Sequence, residues 1–158
     1  MERGNMEDKP AHRRLLNGVY VIGAKHSGRV NAMTAAWVTR VAFEPPLIAV
    51  AIGPERYTHD MIAQSGYFTI NILKKGQEKI GAHFGLQSGR DTDKMKGIKY
   101  REAKSGAPIL EDAPAWIECK VIERVSAGDH TIFIGEVVNE CVREDFEPLP
   151  YRSEDYYG

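Results

Sequence analysis

The chain has 158 residues, enough for one sizeable hydrophobic core and short for two, so a single domain is expected. Its 21 Lys plus Arg against 22 Asp plus Glu give a formal net charge of −1, which excludes a global positive field that would attract nucleic acid or an anionic membrane. The longest charge-free stretch, thirteen residues at 61–73, is too short to span a membrane, and seven charges in the first fourteen residues exclude a secretory signal.

These properties predict a cytoplasmic protein with a flexible segment over residues 1–14 and one domain over residues 15–158. Ile plus Val total 24 against 7 Leu, and β-branched side chains favour strands, so the domain is expected to be mainly β. Residues 19–24 form the first predicted strand, residues 25–29 its turn, and a hairpin partner begins at Val30.

The next elements alternate between strands and one short helix. Residues 31–41 and 47–52 are predicted strands, separated by a break at 43–46 that contains two prolines. A helix is predicted over 59–64, with the Thr58 hydroxyl accepting backbone N–H groups at its start and Gly66 at its end.

The second half of the chain continues with a strand at 67–73, a weakly supported helix at 77–84 and a long loop at 85–99 of the kind that covers a site. Residues 116–125 and 131–142 are two long strands joined around 126–129. If this turn sets the register, paired residue numbers sum to about 255, so Cys119 and Cys141 should not pair and should be reduced, buried thiols.

Six or more strands with one or two short helices favour a closed or partly closed β-barrel, because closure removes edges that would pair with other chains.

The first candidate site segment is a predicted strand with small side chains, which expose backbone. A flat ligand could bind along such a strand, with its ring edge hydrogen-bonded to N–H and C=O groups. Close packing of a second strand or helix against the alanines explains the pattern more simply. The residues are Asn31, Ala32, Met33, Thr34, Ala35, Ala36 and Trp37.

The second candidate segment is at the predicted helix start. Arg56, Tyr57, Thr58 and His59 bring a guanidinium, hydroxyls and an imidazole to free backbone N–H groups, which suits a phosphate monoester. A helix cap with a solvated Arg is an equally good explanation.

The third candidate segment contains His130, which follows a turn and enters a strand, so its ring could project into the mouth of a barrel. A lone histidine is usually structural or solvated; His83, beside the long loop, is a second candidate. No His or Cys pair has metal-ligand spacing, so no metal site is expected. Together the three segments describe a site for a planar group with a phosphate tail, such as FMN.

Seven stretches in a fixed order carry a resemblance that covers the chain from about residue 16 to residue 157. They are Asn-Ala-Met-Thr-Ala-Ala-Trp at 31–37, Phe-Glu-Pro-Pro-Leu-Ile-Ala-Val-Ala-Ile at 43–52, Arg-Tyr-Thr-His at 56–59, Ser-Gly-Tyr-Phe-Thr-Ile-Asn at 65–71, Ser-Gly-Arg-Asp-Thr-Asp-Lys at 88–94, Gly-Asp-His-Thr-Ile-Phe-Ile-Gly-Glu-Val at 128–137 and Pro-Leu-Pro-Tyr-Arg at 148–152. In this order they resemble the flavin reductase-like family, whose fold is the FMN-binding split β-barrel.

The resemblance implies a homodimer with one FMN per subunit near the interface. It implies that the ring lies against the strand from Asn31 to Thr39, that the phosphate lies at Arg56, Tyr57 and Thr58, and that the 88–94 loop walls the site. Lys94 is then a polar contact with Asp93 as its partner, and His130 lies where the nicotinamide of NADH or NADPH stacks on the flavin.

The hypothesis is an FMN-dependent oxidoreductase that takes hydride from NAD(P)H and passes electrons to free flavin, ferric iron or a protein, with His130 orienting the nicotinamide or supplying a proton. A non-catalytic electron carrier that resembles flavoredoxin is the main alternative. A nucleic-acid-binding barrel is a third, disfavoured by the balanced charge.

Overall fold

The computed structural model describes residues 10–157 of the chain. The strands in this part are β1 (Tyr20–His26), β2 (Arg29–Ala35), β3 (Val38–Ala42), β4 (Leu47–Ile52), β5 (Tyr67–Ile72), β6 (Tyr100–Glu102), β7 (Pro108–Leu110), β8 (Ala115–Ala127) and β9 (His130–Val142). The helices are a 3-10 turn at Ala11–Arg14 and the α-helices α1 (Tyr57–Ser65), α2 (Glu78–Gly85) and α3 (Glu154–Tyr157). None of the helices within residues 10–157 is long and apolar enough to cross a membrane.

Seven strands form one antiparallel sheet in the order β2-β1-β5-β8-β9-β4-β3, and β6 pairs with β7 in a separate two-stranded sheet. A single buried cluster takes side chains from β1, β2, β4, α1, β5, β8 and β9, so the sheet curls around its core. Its two edges, β2 and β3, follow each other in the chain but share no ladder in the described residues. The fold is therefore mainly β with short helices, as predicted, and barrel-like rather than closed.

Several elements confirm the sequence patterns. In β4, Ile48, Val50 and Ile52 are buried and the residues between them are half-buried, as alternation of side chains in a strand requires. Helix α1 ends at Gly66, whose φ of 79° lies in the left-handed region that favours glycine.

The hairpin of β8 and β9 turns at residues 128–129. Its pairs sum to 256 or 257, as in Cys119 with Val137 and Trp116 with Cys141, so the expected separation of the two cysteines is confirmed. Cys119 is buried, but Cys141 is exposed. The prediction that both thiols are buried was therefore wrong, because Cys141 lies where β9 has left the core.

Two local predictions were also wrong. The strand predicted over 31–41 is divided at Ala36 and Trp37, where the chain leaves β1 and crosses to β4: the Ala51 N–H donates to the Trp37 carbonyl at 3.0 Å. The helix cap is Arg56, not Thr58, and no side chain bonds to the free N–H groups there.

The N-terminal and C-terminal regions add elements beyond the sequence predictions. Most of the segment predicted to be flexible, residues 1–9, lies outside the described residues, while Ala11–Arg14 forms an exposed 3-10 turn. Strands β6 and β7 and helix α3 were not predicted; they are only three or four residues long, too short for a periodic pattern to show.

Candidate functional site

An open pocket of about 340 Å³ lies beside the connection between β2 and β3. Helix α2 and the segment after β4 form two of its walls. A second pocket of about 390 Å³ adjoins it, and the two share Glu55, Arg56, Gly85 and Leu86. The first pocket is lined by Met33, Thr34, Ala35, Ala36, Trp37, Ala51, Ile52, Gly53, Glu55, Arg56, Gly81, Gly85, Leu86, His130, Tyr151 and Tyr156.

The floor of the pocket is a backbone edge. Five consecutive residues, 33–37, line it, and the first three belong to β2, where alternate side chains point to opposite faces. Main-chain atoms must therefore contribute to the surface. Among the described residues strand β2 pairs only with β1, so N–H and C=O groups on its other side are available to a ligand. This arrangement suits a flat ring system with polar atoms along one edge.

The small-residue segment at 31–37 both packs closely against a helix and lines the pocket. The Thr34 hydroxyl donates to the Gly81 carbonyl at 2.6 Å, and a Cβ on Gly85 would lie 3.2 Å from Cβ of Thr34. Helix α2 thus packs closely on β2, while the same segment lines the pocket. Ala32 takes no part in the pocket lining, because it is fully buried in a second core cluster, which also contains Phe84 of α2 and packs against Tyr100, Tyr151 and Tyr156.

Positive charge is concentrated at one end of the pocket. Arg56 is half-buried at the start of α1 and lines both pockets. The Lys94 side chain is 2% exposed, and its Nζ donates to the Phe84 carbonyl at 3.0 Å. Burial, and secondarily the charge of Arg56, lower the pKa of Lys94 to about 8. None of the ion pairs within residues 10–157 includes Arg56 or Lys94.

Among the described residues neither cation has a carboxylate within ion-pair distance, although Glu55 lines the same pockets, and such cations suit a bound anion. The prediction that Asp93 is the partner of Lys94 was wrong, because an oxygen of the Asp93 carboxylate accepts the Met95 N–H at 3.0 Å instead.

Six of the predicted cofactor residues lie outside the pocket lining: Ala32 and Lys94, already described, and Asn31, Thr39, Tyr57 and Thr58. Asn31 and Thr58 are buried and bond to each other, Nδ2 to Oγ1, at 2.9 Å. Tyr57 packs between two guanidinium groups, those of Arg29 and Arg90, at 4.9 and 5.1 Å. Thr39, on β3, is exposed.

His130 lies at the opposite end of the backbone edge. Its Nδ1 is 2.8 Å from a carboxylate oxygen of Asp129, and this hydrogen bond lowers the pKa of Asp129. Nε2 has no hydrogen-bond partner in the described part of the chain. The ring centroids of His130 and Trp37 are 4.7 Å apart and tilted by 40°. Trp37 is 55% exposed, so the two rings form an accessible aromatic rim.

The other histidines near the site have structural partners. His59 was expected to contribute to an anion site, but its Nε2 lies 2.8 Å from the Thr131 hydroxyl and its Nδ1 3.1 Å from Asp60. His83 places Nε2 2.8 Å from the Lys94 carbonyl. It therefore secures the long loop and does not line the pocket.

The long loop is bound to the sheet and to α1 beside the pocket. Arg29 donates to the Gly89 carbonyl at 2.8 Å, and Arg90 forms an ion pair with Asp60 at 3.0 Å. Residues 86–88 of this loop line the second pocket.

Sequence reasoning missed the lining residues Glu55, Gly81, Tyr151 and Tyr156. Tyr151 belongs to the stretch at 148–152 that carried the family resemblance, but nothing in the pattern indicated that this end of the chain returns to the pocket.

The sequence matches a family described as "Flavin reductase like domain" over residues 12–158. The chain belongs to the flavin reductase-like family. This protein is 36% identical over 148 residues to a high molecular weight rubredoxin of Moorella thermoacetica, which covers 92% of the chain. The chain spans only 64% of that relative.

Two further relatives are matched over most of their length. This flavin reductase-like chain is 33% identical to the ferric-chelate reductase (NAD(P)H) of Archaeoglobus fulgidus, over 95% of the chain and 89% of that relative. It superposes on the crystal structure of an FMN-binding protein from Thermus thermophilus with bound 1-cyclohex-2-enone, with a TM-score of 0.85 and 30% identity, over 94% of this chain and 89% of that one.

Proposed function

We propose that the pocket binds FMN and that the protein is an NAD(P)H-dependent oxidoreductase. The observation that carries this proposal is the convergence of three features in one pocket: the backbone edge at 33–37, Arg56 and His130. The names of the Archaeoglobus and Thermus relatives, a ferric-chelate reductase and an FMN-binding protein, support it.

In this proposal, the flavin ring lies along the edge from Met33 to Trp37 and the phosphate lies at Arg56. Lys94 adds positive charge behind the pocket wall, where its ammonium group donates to the Phe84 carbonyl in the last turn of α2. Asn31, Tyr57 and Thr58 act indirectly. The Asn31–Thr58 hydrogen bond joins β2 to α1 and so keeps the ring and phosphate ends of the pocket together. Ala32 and Thr39 are not assigned a contact.

A bound flavin supplies the redox chemistry, accepting hydride from NADH or NADPH and passing electrons to an acceptor such as free flavin, ferric iron or a protein. The protein residues supply geometry. His130, held by Asp129 through Nδ1, offers Nε2 to orient the nicotinamide, and Trp37 gives an aromatic surface beside it. Orientation is sufficient because hydride transfer needs no general base.

The space around His130 favours an enzyme over a simple electron carrier. Trp37 is 55% exposed and His130 lines the pocket beside it, so the pocket is accessible at this rim. A second substrate therefore has access. A carrier that receives electrons from a protein would not require this room.

The proposal includes a homodimer. The outer face of β4 is apolar, with Leu47, Ala49 and Ala51 half-buried, and Ala49 and Ala51 pair with Ile134 and Ile132 of β9. This apolar face continues to the pocket, because Ala51 also lines it. A second copy of the chain would bury the face and would lie beside the site.

The visible absorption spectrum of the purified protein tests cofactor and donor together. FMN and FAD are titrated separately into the apoprotein, and NADH or NADPH is then added without oxygen. Perturbed flavin bands that bleach with a nicotinamide support the proposal. Tight flavin that is bleached only by a reduced iron–sulfur protein indicates the carrier, and no flavin binding would reject both. Sedimentation at several protein concentrations tests the dimer.

A further inference from the structure

The C-terminal segment returns to the pocket through bonds to the sheet. The Val19 N–H donates to the Leu149 carbonyl at 3.0 Å, and Leu149 is buried. The Tyr151 N–H donates to the Asn17 carbonyl at 2.8 Å. Because backbone bonds fix this segment, Tyr151 has a defined position in the pocket wall.

Tyr151 and Tyr156 form a stacked pair. Their ring centroids are 5.6 Å apart, the rings are inclined by only 12°, and both residues line the pocket. A Cβ on Gly81 would lie 2.8 Å from the Tyr156 hydroxyl oxygen, so the glycine leaves room for this ring against α2.

The position of this pair follows from Gly81. The Gly81 carbonyl accepts the Thr34 hydroxyl at 2.6 Å, so the tyrosine pair lies at the Thr34 end of the backbone edge. Trp37 and His130 form the aromatic pair at the other end. Thr34 lies on β2, whereas Trp37 follows the end of that strand at Ala35, so the two aromatic pairs lie at different ends of the lining segment. Each end of the edge therefore carries an aromatic pair.

The Tyr156 hydroxyl contributes little to the fold. Its oxygen is buried and has no hydrogen-bond partner among the described residues. A buried hydroxyl without a partner destabilises a folded protein. Phenylalanine would thus serve the packing of α3 on α2 equally well.

We propose that Tyr151 and Tyr156 are flavin-binding residues whose stacked rings contact one end of the flavin ring system, while Trp37 and His130 contact the other. The inference rests on the proposed function, because it concerns the same pocket. It adds a specificity element: a wall that favours a long planar ligand over a shorter one.

The experiment compares Tyr156→Leu, which removes the flat ring but retains apolar bulk, with Tyr156→Phe, which removes only the hydroxyl. Tyr100→Leu is the matched control. Tyr100 packs on the second core cluster, as Tyr156 does, but it does not line the pocket. FMN and riboflavin are both titrated, and thermal unfolding of each apoprotein is measured.

We expect Tyr156→Leu to weaken FMN and riboflavin equally, about 3- to 10-fold, since the contact is to the ring and not to the phosphate. Tyr156→Phe should retain wild-type affinity and have an unfolding temperature no lower than wild type. If Tyr156→Leu binds flavin with wild-type affinity, or if Tyr100→Leu loses as much flavin affinity, the inference is overturned but the proposed function is not. A wild-type protein that binds neither flavin would overturn the proposed function as well. If Tyr156→Leu does not fold, Tyr151→Leu decides by the same outcomes.

Discussion

Asn31 donates a hydrogen bond from Nδ2 to Oγ1 of Thr58 at 2.9 Å, and both side chains are buried. This bond joins strand β2, which carries the backbone edge of the pocket, to the start of helix α1, which carries Arg56. The two ends of the candidate site are therefore coupled through the protein interior.

Replacing Thr58 by Val tests this connection. The change keeps the shape of the side chain but leaves the Asn31 amide without its acceptor, so we expect unfolding free energy to fall by about 1–3 kcal/mol in urea denaturation. Thr39→Val, at an exposed position on β3, is the control and should change it by less than about 0.5 kcal/mol. Equal stability of the two variants would contradict the role of the bond.

Arg56→Ala tests the phosphate end. Loss of a charge-assisted hydrogen bond should weaken FMN binding by about 1.5–3 kcal/mol, roughly 10- to 150-fold. Riboflavin lacks the phosphate, so its affinity should not change in the same titration. If both ligands weaken equally, Arg56 acts on the ring or on the fold; if neither weakens, the phosphate lies elsewhere.

His130→Ala tests orientation of the nicotinamide. Stopped-flow bleaching of bound flavin by NADH or NADPH should slow by roughly 10- to 100-fold, while flavin affinity remains within about threefold of the wild type. His26→Ala, at the end of β1 and outside the pocket lining, is the control. Bleaching at the wild-type rate would remove His130 from the mechanism.

Lys94 gives the apoprotein a pH dependence of known sign. Its pKa is lowered from 10.5 to about 8, so above pH 8 the native state loses this proton while the unfolded chain retains it. The unfolded state then binds more protons, and the Lys94 contribution to stability increases as pH rises from about 8 towards 10.5. Urea unfolding at several pH values should show that the free energy of unfolding of the wild type rises relative to that of Lys94→Met over this interval. A constant difference would contradict it.

The pH dependence of FMN affinity should have the opposite sign to that of stability. A bound phosphate favours the charged form of Lys94, so FMN affinity is expected to fall as pH rises through about 8. Lys94→Met should remove this fall, and riboflavin should not show it. An FMN affinity that is independent of pH between 7 and 10 in wild type would place Lys94 too far from the phosphate to act.

Local patterns were sufficient for much of the fold. The alternation in β4 and the glycine after α1 act within a few residues, so they can be recognised in a sequence. The hairpin of β8 and β9 was predicted with its register nearly correct, because a short turn determines the pairing.

The candidate site was predicted less completely. Met33 to Trp37, Arg56 and His130 do meet in one pocket. By contrast, Tyr57 and Thr58, beside Arg56 in the chain, turn to the arginine pair and to Asn31, because successive positions at the start of a helix point in different directions.

The amino-acid sequence by itself determined the family, the mainly β architecture and the segments that carry the pocket, since these depend on short-range patterns and their order. Only the tertiary structure decided which side chains of those segments reach the pocket. It also brought in Tyr151 and Tyr156, because backbone hydrogen bonds to Asn17, Val19 and Leu73 hold the C-terminal segment beside α2, over separations that no local pattern encodes. The net charge of −1 does not reveal where the charges lie: only the folded structure shows the half-buried Arg56 close enough to the buried Lys94 to lower its pKa.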